Sequence, residues 1–193
     1  MRKVHLIRHG ATEASRRRLY YGRADVPLAP DAAEELLELK RQGIYPSAEG
    51  CRVFTTGMRR TDQTLEILYP GVKAEREPGL REMDFGDFEL RGYEELKDDP
   101  AYQQWLTGDY LKNVCPGGES AEQHAARCVR ALAGLLEREK GDLLIICHGG
   151  TVTALMERLF PDEGENRWHW ERPTGRGYTV WFDGTVPKGH EEI

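Results

Sequence analysis

The chain has 193 residues, 39% of them hydrophobic, with both charge signs mixed throughout. That length and composition suit one globular domain with a real core. A formal net charge of −6 argues against general nucleic-acid binding, which needs a basic surface, yet leaves room for an anionic small molecule gripped by local arginines.

No stretch approaches the ~20 apolar residues that span a bilayer. Met1-Arg2-Lys3 runs straight into a strand, so no secretory signal is expected. Cys51, Cys115, Cys128 and Cys147 lack CxxC spacing and read as reduced thiols of a cytoplasmic protein.

Strand and helix signals alternate along the chain. Lys3 to Arg8 is strand-like. A helix should begin near Pro30, with Asp31, Glu34 and Glu35 at its positive end, an apolar side of Leu36, Leu37 and Leu39, and a stop at Gly43. Cys51 to Thr55 reads as a second strand, and Met58 to Leu68 as a helix halted by Tyr69-Pro70-Gly71. Val72 to Glu75 is a short edge strand.

From Pro78 to Gly118 the pattern is irregular, with helical pieces at Tyr93 to Lys97 and Ala101 to Leu106, and the segment is long enough to cover a site. Ser120 and Gln123 form a capping box ahead of Ala125, Cys128, Val129, Leu132, Leu135 and Leu136, which recur at helical spacing. Leu143 to Cys147 is a strand, Thr151 to Phe160 a helix and Tyr178 to Phe182 a last strand, with a frayed tail beyond it. Strands separated by helices of this length predict βαβ units and a mainly parallel sheet covered on both faces.

Two of these strands end in histidine-glycine pairs, Arg8-His9-Gly10 and His148-Gly149-Gly150. The crevice beyond strand carboxyl ends is where α/β sheets bind ligands. A phosphoryl group carries charge on several oxygens, and guanidinium forks suit them best. Arg8 supplies one, and Arg59, opening the helix after the second strand, supplies another beside helix-terminal N–H groups. His148 and the backbone of Gly149 and Gly150 complete a cage.

His9 is then the candidate nucleophile, kept neutral by the surrounding arginines. A backbone carbonyl is the expected acceptor for its other ring nitrogen. Glu82, within Leu80-Arg81-Glu82-Met83-Asp84-Phe85-Gly86, is the candidate proton donor.

The remaining histidines read blandly. His5 is a packed strand residue, His124 a surface or boundary residue of its helix, His169 a weak candidate for the pocket rim, and His190 part of the frayed tail. Arg16-Arg17-Arg18 is either a solvated cluster or a source of local positive potential. Tyr20, Tyr21, Tyr93, Tyr102 and Trp105 either line the pocket mouth or fill a small core, and Cys147 is a buried small residue.

Four segments in order resemble the histidine phosphatase superfamily, in the branch that contains cofactor-dependent phosphoglycerate mutase and α-ribazole phosphatase. They are Arg8-His9-Gly10-Ala11-Thr12; Thr55 to Thr61 with Gln63-Thr64; Leu80 to Gly86 with Glu89; and Pro116-Gly117-Gly118-Glu119-Ser120 with the later Cys147-His148-Gly149-Gly150. The resemblance runs from Lys3 to about Thr151. It implies His9 as the phosphorylated nucleophile, Arg8, Arg59, His148 and Gly149 as phosphate ligands, and Glu82 as acid and then base.

Ser15 stands where the family commonly has asparagine and is taken as a phosphate ligand in its place. Tyr21 and Gly22 are the candidate substrate contacts. The helix at Pro30 lacks the family's usual glycine and glutamine near its start. The compact length and the Met83-Asp84-Phe85-Gly86 element look more like phosphatases than mutases.

The expected fold is therefore a three-layer α/β/α, phosphoglycerate mutase-like domain over residues 1–193, with 78–118 as an irregular cover. The expected function is hydrolysis of a small-molecule phosphate ester through phosphohistidine, with no metal, no cofactor, no nucleic acid and no membrane partner. The alternatives are mutase-type transfer back to a sugar acid and a non-catalytic phospholigand-binding protein.

Overall fold

The computed structural model describes residues 1–109, 111–163 and 167–193, so residue 110 of the expected cover lies outside the described residues. Its centre is one sheet built from β1 (Arg2–Arg8), β2 (Arg52–Thr55), β3 (Glu75–Arg76), β4 (Leu143–Cys147), β5 (Gly177–Asp183) and β6 (Val186–Glu192), in the spatial order β3-β2-β4-β1-β5-β6. The first four run parallel, while β5 and β6 form an antiparallel margin on β1.

The central strands are apolar at nearly every position because both faces are covered. Successive side chains point to opposite faces. Leu6 and Ile145 therefore pack with Leu132 and Leu135 of α6 (Ala121–Arg138) and with Val152 and Leu155 of α7 (Gly149–Leu159). Ile7, Leu144 and Ile146 pack on the other side, with Leu36 of α2 (Ala32–Arg41) and Leu65 and Leu68 of α3 (Arg59–Leu68). The result is the three-layer α/β arrangement the pattern predicts. The capping box predicted at Ser120 and Gln123 is present.

Two elements depart from the sequence reading. A single turn, α1 (Glu13–Arg16), follows β1 and is capped reciprocally by Thr12 and Ser15. The expected frayed tail is β6, which turns back at Gly184, φ 62°, and pairs with β5. His190 is no tail residue. Its ring packs 4.7 Å from Phe160 and 5.1 Å from Trp170, and its Nε2 lies 2.8 Å from Glu163 Oε2. The strand signal is hidden because β6 is an edge, and edges carry proline and charged residues.

Between β3 and α6 the chain forms two 3₁₀ turns, Pro78–Leu80 and Gly86–Phe88, then α4 (Tyr93–Leu96) and α5 (Pro100–Trp105). Phe88, Leu96, Tyr102 and Cys115 give this stretch a small core of its own, with Tyr20, Phe85 and Trp105 against it. One carboxylate fastens the stretch to the segment after α1. Glu89 accepts from the backbone N–H groups of Gly22, Arg23, Ala24 and Phe85 at 2.9–3.1 Å.

Replacing Glu89 by Ala strips four donors of one acceptor and should lower unfolding stability by about 1–3 kcal/mol. Urea transitions measure this, and a midpoint equal to wild type would remove Glu89 as the fastener.

Candidate active site

Strand register builds the site. Arg8 of β1 lies opposite Cys147 of β4, so the next residues, His9 and His148, leave the sheet side by side with ring centroids 5.3 Å apart. Both are buried. His9 Nδ1 donates to its neighbour's carbonyl, Gly10 O, at 2.7 Å. This fixes the proton on Nδ1 and leaves Nε2 as the lone-pair nitrogen.

His148 is fixed the other way round. Its Nδ1 accepts from Arg60 Nε at 3.2 Å, so Nε2 carries the proton and donates to Thr56 Oγ1 at 2.9 Å. The Thr56 hydroxyl passes to Thr61 Oγ1 at 3.2 Å, and Thr61 ends the chain on Met58 O at 2.7 Å.

Both imidazoles lie well below their ordinary pKa. For His9 the largest cause is burial, followed by the Arg60 charge and, more weakly, Arg8, with the Gly10 carbonyl opposing. For His148 burial again leads, then Arg60 and His9. A neutral ring with a free lone pair is the form that attacks phosphorus.

The second cation is Arg60 and not Arg59. The buried side of α3 is Arg60, Thr61, Thr64, Leu65 and Leu68, and Arg59 falls off that stripe into solvent. Arg59 contributes its backbone N–H to Asp25 Oδ1 at 2.7 Å. The Arg60 guanidinium is 0% exposed, donates to Ala24 O and Gly22 O at 2.8 Å each, and lies 5.1 Å from the Tyr21 ring centroid. The phase of the helical pattern was the available signal, since position 60 is four before Thr64 and eight before Leu68.

Arg8 donates to Arg172 O at 2.6 Å, while its Nε is buried with no partner among the described residues. A buried guanidinium N–H of this kind is what an anion would satisfy. The two glycines after His148 are required by close approach. A Cβ on Gly149 would come within 2.9 Å of Arg8 Cζ, and one on Gly150 within 2.3 Å of Glu82 Oε1. Glu82 accepts from Gly150 N at 2.8 Å through Oε2 and from Met83 N at 2.9 Å through Oε1.

Other expected residues take different roles. The Ser15 hydroxyl is spent on the α1 cap, accepting from Thr12 N at 2.9 Å and donating to Thr12 O at 2.7 Å. Gly22 shapes the site through its backbone. Its carbonyl serves Arg60, its N–H serves Glu89, and a Cβ there would overlap Met83 O at 1.6 Å. Tyr21 stands edge-on to His9 at 6.2 Å.

His5 is the packed strand residue expected, 2.9 Å from Thr179 Oγ1. Arg16 is engaged by Asp31 and Glu35 of the α2 region. His169 is exposed against Trp170, and its neighbour Trp168 reaches the cleft instead.

Sequence reasoning missed His124. Far from the surface, it is 1% exposed and lies 3.7 Å from Glu82 Oε1. Burial draws its pKa down, with Glu82 pulling the other way. Position 124 is four before Cys128 and eight before Leu132, on the helix's apolar stripe, and that spacing could have found it.

Part of this constellation lines a cleft of about 450 Å³, while His9, Arg60 and His148 lie buried outside its lining. Arg8, Glu82, His124, Gly149 and Gly150 form its polar end, and Tyr20, Phe85, Trp105 and Trp168 line the rest. Two other hollows of about 500 Å³, beside Met1 and beside Cys51, hold none of these groups. Chemically, the polar end can hold a small anion on Arg8, the residue before His9.

Arg60→Ala should weaken binding of inorganic phosphate about tenfold or more, the loss of charge-assisted bonds, whereas Arg59→Ala should stay within about twofold. Calorimetry decides, and equal effects would contradict the assignment of Arg60. His5, His9, His124 and His148 all have lowered pKa values, so the unfolded chain binds protons near pH ~6.5 that the folded chain refuses. Stability should therefore fall as pH drops from about 7 towards 5, by up to about 1.4 kcal/mol per pH unit for each such histidine. A urea midpoint unchanged between those values would contradict the neutral buried rings.

Known proteins resemble this chain in sequence and fold. The adenosylcobalamin/alpha-ribazole phosphatase of Salmonella typhimurium is 30% identical over 181 residues, covering 90% of this chain and 87% of that protein. The solved alpha-ribazole phosphatase of Shigella flexneri matches with a TM-score of 0.82 at 26% identity, over 96% of this chain and 93% of its own. Phosphoglycerate mutase of Thermus thermophilus matches with a TM-score of 0.71 at 29% identity, over 97% of each chain. The model of the Histidine phosphatase superfamily (branch 1) matches residues 4–188, and the chain belongs to that superfamily.

Proposed function

We propose that this protein hydrolyses small phosphate monoesters through a phosphohistidine on His9. The observation that carries this reading is the fixed tautomer: Nδ1–H on the Gly10 carbonyl, Nε2 unprotonated, and Arg60 and Arg8 beside it.

Nε2 attacks phosphorus as the ester bond breaks, and protonated Glu82 gives its proton to the departing oxygen. Glu82 then takes a proton from water as that water attacks, the P–N bond breaks, and neutral His9 and phosphate result. Arg8, Arg60 and the Gly149 backbone hold the phosphoryl oxygens, and His148, its two ring nitrogens taken by Arg60 and Thr56, orients the Arg60 guanidinium. The donors are guanidinium and peptide groups, so turnover is expected to persist in chelator.

The substrate reading rests on the cleft. Its outer part is walled by Tyr20, Phe85, Trp105 and Trp168, surfaces that suit a flat apolar group on the leaving alcohol. Relatives named adenosylcobalamin/alpha-ribazole phosphatase support the same class of ester. Residues 78–118 supply Glu82, Met83, Phe85, Trp105 and Leu106 to this wall, which supports their reading as a cover over the site.

The Thermus relative favours a second reading, transfer back to a sugar acid. Among the described lining residues Arg8 is the one arginine or lysine, and a second cation for the acid's carboxylate is what that reaction would need. Incubation with 3-phosphoglycerate and a bisphosphate primer separates the two, since isomer without phosphate release marks a mutase. Four unpaired cysteines suit a reducing compartment and support a cytoplasmic location. No helix among the described residues is long and apolar enough to cross a membrane.

His9→Ala should abolish both 4-nitrophenyl phosphate hydrolysis and acid-labile phosphate incorporation. Substantial turnover by that variant would reject the mechanism. Glu82→Gln should lower kcat/KM for alkyl esters by about 10²-fold or more and for 4-nitrophenyl phosphate far less, because the activated phenol leaves without a proton. Equal slowing of both esters would reject Glu82 as the acid.

A further inference from the structure

Glu82 lies in a stretch, residues 81–85, that belongs to no helix or strand, so side chains from outside must set where its carboxyl stands. Two come from one face of α6, three residues apart. Arg127 meets this stretch through its backbone, reaching Gly79 O at 2.9 Å, Arg81 O at 3.0 Å and Glu82 O at 3.2 Å. His124 lies beside the carboxyl itself, its Nε2 3.7 Å from Oε1, in electrostatic contact beyond hydrogen-bond distance.

Its Nε2 faces three oxygens: Arg81 O at 3.2 Å, Thr151 Oγ1 of α7 at 3.4 Å and Glu82 Oε1 at 3.7 Å. A carbonyl only accepts, so Nε2 bears the proton. That N–H comes from α6 and lies within reach of both the Arg81–Glu82 stretch and Thr151 of α7. An aliphatic side chain could fill the same space on the apolar stripe but would present no donor to these oxygens.

We infer that His124 is a positioning residue for Glu82: its Nε2–H bonds the Arg81 peptide and Thr151 and turns its positive end to the Glu82 carboxyl, and so holds the proton donor at its working distance from the leaving oxygen. The inference rests on Glu82 acting as the acid under the proposed function. It assigns no contact between His124 and phosphorus.

The test compares kcat/KM for 4-nitrophenyl phosphate with that for 2-phenylethyl phosphate, an alkyl ester that needs the proton, in three variants of the full chain. In His124→Leu the alkyl ester should lose about tenfold more than the nitrophenyl ester, part of what a general acid contributes. His124→Asn, whose amide is too short to reach, should behave alike and covers the case in which the leucine variant does not fold. In His124→Gln the terminal amide can present an N–H where Nε2 was, and the ratio of the two esters should return to within about threefold of wild type, by the same argument.

Equal losses on both esters would show a residue that only fills space and would overturn the inference. So would a glutamine variant as poor as the asparagine one, or an asparagine variant with the wild-type ratio. If wild type turned over neither ester, the hydrolase reading itself would fall and this inference with it. Wild-type turnover with an unchanged ratio in every variant would overturn the role of His124 alone.

Discussion

Arg60 brings a permanent positive charge into the interior and answers it with two carbonyl oxygens and an imidazole nitrogen instead of a carboxylate. Burying a charge without an opposite partner is costly, because carbonyl dipoles replace only part of lost hydration. The cost has a chemical return. Burial holds His9 and His148 well below their ordinary pKa, and the same charge adds to that effect. The Gly10 carbonyl leaves Nε2 of His9 free, and the Thr56–Thr61–Met58 chain turns Nδ1 of His148 to the Arg60 guanidinium.

That constraint works only if the charge and the two rings are placed accurately, and the sheet does the placing. Alternating side chains of β1 and β4 are locked in two separate cores, so a one-residue slip would exchange their faces. The register that buries Leu6 and Ile145 on one side is the register that brings His9 beside His148. Packing and chemistry are therefore specified by the same residues.

Much of this was legible in the sequence. Apolar runs ending in His-Gly mark the strand ends, and the chemistry of phosphate selects arginine and histidine there. Glu82 stands out through its surroundings. What the sequence hides shares one cause: a residue's type is plain, but its direction is not. Arg59 and Arg60 are chemically equal, and only helical phase separates the solvent-facing one from the buried one. His124 reads as polar and hence outward, though its spacing lies with Cys128 and Leu132. Ser15 has the right chemistry for an anion, but a local cap uses it first. The strand β6 is invisible because an edge needs no apolar alternation, and the rings that His190 packs on, Phe160 and Trp170, lie far away in sequence.

The cover segment shows the same economy of anchoring. Few of its residues belong to regular elements, yet Glu89 ties it to the segment after α1, Arg127 ties it to α6, and the small core around Phe88 packs it from within. The Glu82 carboxyl and the aromatic wall thus ride on a part of the chain whose position depends on a handful of side chains.

The central claim is that position nine carries an uncharged ring with its proton on Nδ1. Nitrogen-15 NMR of the histidine side chains, titrated from pH 8 to 5.5, reads this directly. The account predicts that His9 keeps a protonated Nδ1 and an unprotonated Nε2 throughout, and that phosphate does not convert it to the doubly protonated form. A His9 resonance that titrates as imidazolium near the ordinary value, or one with the proton on Nε2, would contradict it.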